Sequence, residues 1–347
     1  MNYPKKMEKS NLAIVSNEKI VQSGMNFYCD NIDIKSIPEG LNENFKTLLI
    51  GRKSKIERSI QIKLKDVILG GNIISFLINV FKTFKKNNTK YLIISISPYT
   101  FFAFLILFIF RKRIFVYLRS DGYQEYKYIS PFFGPLIYHI MFTIVSLGAT
   151  LLSCAPNILR GKKGHIVYPS QITNEWFIDQ TEADIKKIKL LYIGRIRIEK
   201  GIFSLLNIIK DIEKDFSVSL VTAEKKVSHK INQHNINLIN FDNKNDSIIK
   251  MYDSHSIFIL PSLTEGHPQV LDEALARLRP VIIFDEISHV IGKRQGVFIS
   301  KRNSDSFLKT INEIINNYKI IQEKISQNTL PTKEKFIKDI SLVLNSN

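Results

Sequence analysis

PSLTEGHPQVLDEALARLRP, residues Pro261 to Pro280, follows a four-residue apolar run, Ile257 to Leu260. That run has no polar alternation and reads as a buried strand of a parallel sheet. The chain then turns and starts a helix. Pro268 suits a first helical position, and Val270, Leu271, Ala274, Leu275 and Leu278 recur at helical spacing. A helix that begins directly after a strand offers free amide donors and the positive end of its dipole, a receptor for phosphate or polar ligand groups. Two carboxylates, Glu265 and Glu273, stand across this start.

Upstream, Lys189 to Ile193 reads as another buried strand, followed by Gly194-Arg195-Ile196-Arg197-Ile198-Glu199-Lys200-Gly201 and a helix from Ile202 to about Ile212. Glycine, arginine and lysine at a helix start make an apt diphosphate site: Arg195 can fork onto two oxygens and Lys200 adds a point charge. A solvated basic turn is the competing reading. Further strands are expected at Phe216 to Thr222, Ile236 to Phe241 and Pro280 to Phe284, the last closing the run. A short helix is expected at Asn245 to Ser254, and amphipathic helices at Asp305 to Ile325 and Lys333 to Leu344.

The first half repeats the alternation. Strands are expected at Asn11 to Ser16, Phe45 to Ile50, Tyr91 to Ile96, Arg113 to Leu118 and Leu151 to Ala155, with Ile60 to Leu69 undecided. Helices are expected at Asn72 to Lys86 and in the Phe-rich run Pro98 to Phe110. Gln22-Ser23-Gly24 reads as a turn after the first strand, where a glycine can let a phosphate approach backbone amides. Arg119-Ser120-Asp121-Gly122 stands at the carboxyl end of a strand, where ligands gather in such sheets. Asp121 is either a turn former or a group facing a cleft. The pattern implies an α/β protein of two Rossmann-like domains facing each other across a cleft.

At 347 residues, 44% apolar and 11% aromatic, the chain can bury two cores of ordinary domain size. Its formal charge of +17, from 49 basic and 32 acidic residues, suits a phosphate-rich or anionic-membrane partner, although a bias toward Ile, Asn and Lys explains part of it. Cys29 and Cys154 have no metal-ligand spacing, which points to a reducing compartment. The polar start, Met1 to Ser10, lacks the apolar core of a secretion signal. A spanning helix needs about 20 residues; Arg111, Lys112 and Arg113 end the Phe-rich run early, and Pro135 to Ala155 fits a helix followed by a strand. No stacking pattern of aromatic and basic residues supports nucleic-acid binding.

Gly194-Arg195 with Glu199-Lys200-Gly201, and Pro261-Ser262 with Glu265-Gly266, Pro268, Glu273-Ala274 and Pro280-Val281-Ile282, resemble the nucleotide-sugar domain of family 4 glycosyltransferases, retaining enzymes of the GT-B fold, here of the bacterial surface-polysaccharide type. The resemblance implies an acceptor-binding domain at 1–170, a linker at 171–187, a nucleotide-sugar domain at 188–325 and a C-terminal helix at 326–347 that returns to the first domain. It implies that Arg195 and Lys200 bind the donor diphosphate, that Glu273 bonds the ribose hydroxyls and that Glu265 lies by the transferred sugar. Gly266 and the stretch His267, Pro268, Gln269 and Val270 would hold sugar hydroxyls and phosphate oxygens at the helix start. Gly24 would take the place of the glycine-rich N-terminal turn, with one glycine where many relatives have two. Asp121 would stand where many members carry a catalytic histidine, orienting an acceptor or sugar hydroxyl.

The activity implied is hexosyl transfer from a nucleoside-diphosphate sugar to a saccharide acceptor, lipid-linked, in capsule, O-antigen or related glycan synthesis, with no cofactor and no metal. The setting implied is cytoplasmic and peripheral on the inner face of the membrane. Lys82, Lys85, Lys86 and Arg111 to Arg113 would supply the charge for an anionic leaflet and Phe101 to Phe110 the apolar part. A buried core helix is the competing reading of that run. Rival functions are a sugar-nucleotide epimerase or phosphorylase of the same fold, and a non-catalytic GT-B partner protein.

Overall fold

The structure is a computed structural model that describes residues 9–86, 88–212, 216–223, 235–241 and 247–346. The polar stretch 1–8 and the expected helix start at Asn245 lie outside them. The chain divides into two compact units, Met1–Pro169 with Glu334–Asn347, and Ser170–Lys333.

The first unit runs β1 (Asn11–Ser23), β2 (Asn26–Cys29), α1 (Ile32–Leu41), β3 (Lys46–Lys53), β4 (Ile60–Ile62), β5 (Val67–Gly70), α2 (Ile73–Lys82), β6 (Lys90–Ile94), α3 (Pro98–Ile109), β7 (Arg113–Leu118), α4 (Gly122–Ile129), α5 (Gly134–Gly148), β8 (Thr150–Ser153) and β9 (His165–Ile166). Parallel pairing gives the order β5-β3-β1-β6-β7-β8-β9. Side chains alternate across a strand, so each central strand feeds two cores. Ala13, Val15, Tyr91, Ile93 and Val116 pack under α2, α3 and α5, while Leu12, Ile14, Leu92, Ile94 and Phe115 pack under α1 on the other face. Burial on both faces is why these strands read as unbroken apolar runs.

β1 is longer than its apolar segment. Its register shifts after Val15, and it then continues to Ser23 and pairs antiparallel with β2. Gly24, at φ +59°, is therefore in the tight hairpin turn between β1 and β2. The expected turn after the first strand is thus a hairpin, and the next helix, α1, starts only at Ile32, after β2. α1 and α4 were also illegible in the sequence, α1 because Pro38 lies inside it and α4 because its residues, GYQEYKYI, have little apolar periodicity.

The second unit contains β10 (Ile188–Ile193), α6 (Ile202–Lys210), β11 (Phe216–Thr222), β12 (Ile236–Asn240), α7 (Ile248–Asp253), β13 (Ile257–Leu260), α8 (Gln269–Ala276), β14 (Val281–Phe284), β15 (Val297–Ser300), α9 (Ser304–Asn316) and α10 (Tyr318–Ser326). Its sheet is parallel in the order β12-β11-β10-β13-β14-β15. β15 extends the sheet beyond the strand expected to close it. The amphipathic run from Asp305 forms two helices instead of one, broken at Asn317, whose ψ of 20° is non-helical. The final helix, α11 (Lys333–Asn345), belongs to the first unit, where Phe336, Ile340, Val343 and Leu344 join the core under α1.

Residues 171–187 are packed onto the second unit. Ile172 and Trp176 enter its core, and two arginines, each 1% exposed, hold the segment's backbone. Arg277 donates to the carbonyls of Trp176, Ile178 and Asp179 at 2.8 to 3.0 Å, and Arg279 to that of Thr181 at 3.0 Å. Asp253, at the end of α7, balances Arg277 with a bidentate pair at 2.8 and 2.9 Å. Losing one partner of such a pair leaves a buried charge uncompensated. Asp253→Ala is expected to cost about 3 kcal/mol, the lower end for such a loss because Arg277 keeps its carbonyl acceptors. Urea unfolding checks it, and a change under about 0.5 kcal/mol, the surface-substitution range, contradicts it.

Candidate functional site

β10 and β13 lie side by side, and the sheet runs outward from them in both directions, through β11 and β12 on one side and β14 and β15 on the other. Connections that leave two such strands diverge, opening a crevice at their carboxyl ends. The two motif loops emerge there. After β10 the chain makes a short turn at Ile198–Lys200 and enters α6 through Gly201. After β13 it passes Pro261 to Pro268 and enters α8.

These loops are stitched together. Lys200 Nζ lies 2.6 Å from Glu265 Oε1, and Ser262 Oγ donates to the same oxygen at 2.6 Å. The Leu263 amide donates to the Glu199 carbonyl at 3.0 Å. Gly201, at φ +67°, passes so close to Pro261 that a Cβ there would stand 1.8 Å from the Pro261 carbonyl oxygen. Arg302 donates to that same carbonyl at 3.1 Å through both terminal nitrogens, and to Glu286 at 2.8 and 2.9 Å. A ring nitrogen of His289 lies 2.9 Å from the Glu265 carbonyl. Arg195 lies in the β10 loop with an exposed side chain, its carbonyl accepting from Tyr192 Oη at 2.7 Å.

α8 (N-cap Pro268) starts at the crevice without a side-chain cap, and the Leu271 amide donates to the Pro268 carbonyl at 3.1 Å. Beneath it lies a buried polar cluster. Asp272, in the first turn, is 1% exposed and accepts from Arg294 Nε at 2.5 Å and a terminal nitrogen at 3.0 Å, with His267 Nε2 2.9 Å away. Burial alone would raise the Asp272 pKa; hydrogen bonds from His267 and Arg294 outweigh it and hold the carboxyl below its ordinary value. Glu273 accepts from Tyr252 Oη at 2.8 Å. Tyr252 is fully buried, which pushes its phenol well above the ordinary value and keeps it a donor.

Lys200, Glu265, Gly266, His267, Pro268, Gln269, Val270 and Glu273 are thus gathered on the two loops and the start of α8. Gly24 and Asp121 belong to the first unit. Asp121 caps α4, accepting from the Tyr123 amide at 3.0 Å, and its other oxygen pairs with Arg160 at 2.7 Å; Arg160 also lies over the Tyr123 ring at 4.9 Å. Tyr252, Asp272, Arg294, Arg302 and His289 were not singled out from the sequence. Asp272 carried a signal, a charged residue inside an otherwise apolar helix stripe; the others converge from distant segments. Among the described residues no group of three or more His, Cys, Asp or Glu side chains is placed to hold a metal ion.

Gly201→Ala is expected to cost more than about 1 kcal/mol, since alanine must accept a left-handed conformation and push Pro261 away; an unchanged thermal midpoint contradicts it. A pH dependence follows from Asp272. A carboxyl whose folded pKa is depressed stabilises fully above its unfolded value and loses that contribution as pH falls through its folded value. Asp272→Asn is therefore expected to be less stable than the parent at pH 7, with the gap closing below about pH 4. A gap constant from pH 7 to 3 in urea titrations contradicts this.

Residues 174–330 match the family model described as Glycosyl transferases group 1. The Bacillus subtilis (strain 168) protein TuaC, provisionally named a teichuronic acid biosynthesis glycosyltransferase, is 28% identical over 123 residues, 35% of this chain and 31% of its own. The chain spans less than half the length of the curated relatives it matches. Among solved structures, Anabaena Alr3699/HepE in complex with UDP-glucose superposes with a TM-score of 0.71 at 12% identity, covering 97% of this chain and all of that one. Sucrose-phosphate synthase of Thermosynechococcus elongatus gives 0.69 at 15% identity, covering 96% and 98%. The chain accordingly has the GT-B fold of two Rossmann-like units, and its second unit is similar in sequence to the group 1 glycosyl transferases.

Proposed function

We propose that the protein is a retaining, metal-independent glycosyltransferase that moves a hexosyl group from a nucleoside-diphosphate sugar to a lipid-linked saccharide in surface-glycan synthesis, working on the cytoplasmic face of an anionic membrane. The observation that carries this reading is the meeting of Lys200 and Glu265 at 2.6 Å beside the uncapped start of α8. Lys200 keeps two further ammonium donors for phosphate oxygens, and Arg195 adds an exposed guanidinium from the same loop. Glu265, anchored by Lys200 and Ser262, borders the transferred sugar together with Gly266, His267, Pro268, Gln269 and Val270. Glu273, fixed by Tyr252, receives the ribose hydroxyls. The similarity to TuaC and the UDP-glucose of the HepE structure support the donor class and the glycan setting.

In this mechanism the bond between the anomeric carbon and the phosphate oxygen breaks while the acceptor oxygen bonds to the same face of that carbon. The acceptor proton passes to the departing phosphate. Negative charge grows on the diphosphate, and preorganised Lys200, Arg195 and the α8 amides stabilise it most in the transition state. Asp121 orients the acceptor hydroxyl, with Arg160 fixing its carboxylate. Gly24, in a hairpin turn, leaves the backbone there open to a ligand.

Purified protein is assayed against a panel of UDP- and GDP-sugars. The true donor at a hundredfold excess over its Kd stabilises the native state by about 2.7 kcal/mol. Lys200→Ala and Glu265→Gln are each expected to lower transfer about 100-fold or more while leaving circular dichroism unchanged. Full activity in either variant overturns the assignment, and an altered sugar released without any acceptor identifies an epimerase instead.

A further inference from the structure

α2, α3 and α5 form one layer over the sheet of the first unit, and their inward residues, among them Phe76, Val80, Phe104, Leu107, Tyr138 and Phe142, share one core. A helix layer with water on its outer side carries charge there. These three helices hold a single Asp, Glu, Lys or Arg between them, Lys82. Apart from Lys82 and His139, their exposed side chains are apolar. α2 exposes Ile74, Ile78 and Phe81 at helical spacing; α3 exposes Phe102, Phe108 and Ile109, with Phe110 just after it; α5 exposes Leu136, Ile137, Ile140 and Leu147.

The stripes adjoin. The Phe81 and Phe110 rings meet edge to face at 5.4 Å, joining α2 to α3. The Phe108 ring fills the space a Cβ on Gly148 would take, joining α3 to α5. At the α4–α5 corner Phe132 is 90% exposed, beside exposed Ile129 and Phe133. That corner is firmly built: Gly134 donates to the Ser130 carbonyl at 2.8 Å, and Tyr138 packs against Tyr123 and Tyr126 of α4 at 4.9 and 5.3 Å. Its phenylalanines therefore face outward on a fixed turn. The opposite layer is unlike this one, since α11 turns Lys335 and Asp339 outward as a pair at 3.0 Å.

We propose that this face of α2, α3 and α5, with the α4–α5 corner, is a docking surface for an anionic lipid leaflet. A continuous apolar surface of this extent marks an interaction site. Its rim selects the partner: Lys82 ends α2, Lys85 and Lys86 follow it and Arg111 and Lys112 follow α3, whereas Glu125 is the one carboxylate on the helices α2, α3, α4 and α5. A symmetric dimer through the same patch sets these cations against each other, while anionic headgroups attract each by about 1 kcal/mol. Among the described residues no helix is long and apolar enough to cross a membrane, so the face lies in the interface. The inference deepens the membrane part of the proposed function by naming the surface responsible, and its test is independent of sugar transfer.

The full chain is floated with vesicles of phosphatidylethanolamine and phosphatidylglycerol, and with vesicles of phosphatidylcholine alone. The parent is expected to float with the first and far less with the second. Combined Phe132→Ser, Leu136→Ser and Ile140→Ser, at exposed positions remote from the core, is expected to lower recovery about tenfold or more, a loss of about 1.4 kcal/mol, with the donor-induced thermal shift unchanged. Lys85→Glu with Lys86→Glu is expected to remove the preference for phosphatidylglycerol. A parent that fails to float overturns the proposal, as does a parent dimer in sedimentation that the serine variant turns into a monomer. Flotation without any donor-induced shift leaves the surface standing and removes the glycosyltransferase reading.

Discussion

In the second unit Gly201 lies so near the Pro261 carbonyl that no Cβ fits between them, and the candidate site depends on this contact. Two strands adjacent at a switch point bring their following loops near each other in any doubly wound sheet. Here the absence of a Cβ at position 201 lets the β10 loop lie directly against the β13 loop. Lys200, one residue earlier, then reaches Glu265 at 2.6 Å, and Leu263 bonds back to Glu199. Arg302 takes the carbonyl that the contact leaves facing inward. One residue with no side chain thus fixes two charged ones.

The charged groups around α8 act at two depths. Asp272, His267 and Arg294 form a cluster in which every member has a partner, so burying charge carries little net penalty beyond its desolvation. This cluster anchors the first turn of α8 from below. Glu273, one residue on, is held from beneath by a phenol whose burial keeps it protonated. The helix start is thereby fixed by side chains other than a cap. A capping serine or aspartate in place of Pro268 would stabilise the helix and occupy its first amide donors.

The alternation of apolar runs and periodic stretches made the two Rossmann-like units legible, because strands buried on both faces and helices with one apolar stripe are imposed by period alone. The residues gathered at the β10 and β13 loops were legible for a related reason: the switch point brings strand ends together whatever lies between them in sequence. Less visible was anything set by local competition. Gly24 reads as a turn, but the strand before it is expected to end at Ser16, because nothing in Asn17 to Ser23 announces that β1 runs on into a hairpin. Asp121 could be read as a turn former or a cleft residue, and it caps α4 with one oxygen while holding Arg160 with the other. Arg277 and Arg279, read only as part of a helix end, prove to hold the segment expected as a linker.

The Phe-rich run shows why periodicity cannot separate a core helix from an interfacial one. α3 is apolar all round, and both readings hold for different sides of it: Phe104 and Leu107 are buried, while Phe102 and Ile109 are exposed. A helix that faced water would have lost its outer phenylalanines to polar residues at no cost to its core. That α2 and α5 show the same outer composition removes coincidence on one helix as an explanation, since three separate helices share it on one layer. The basic residues at the ends of α2 and α3 then acquire a reason that overall composition could not supply: they border the apolar face, where charge cannot be placed without losing contact area.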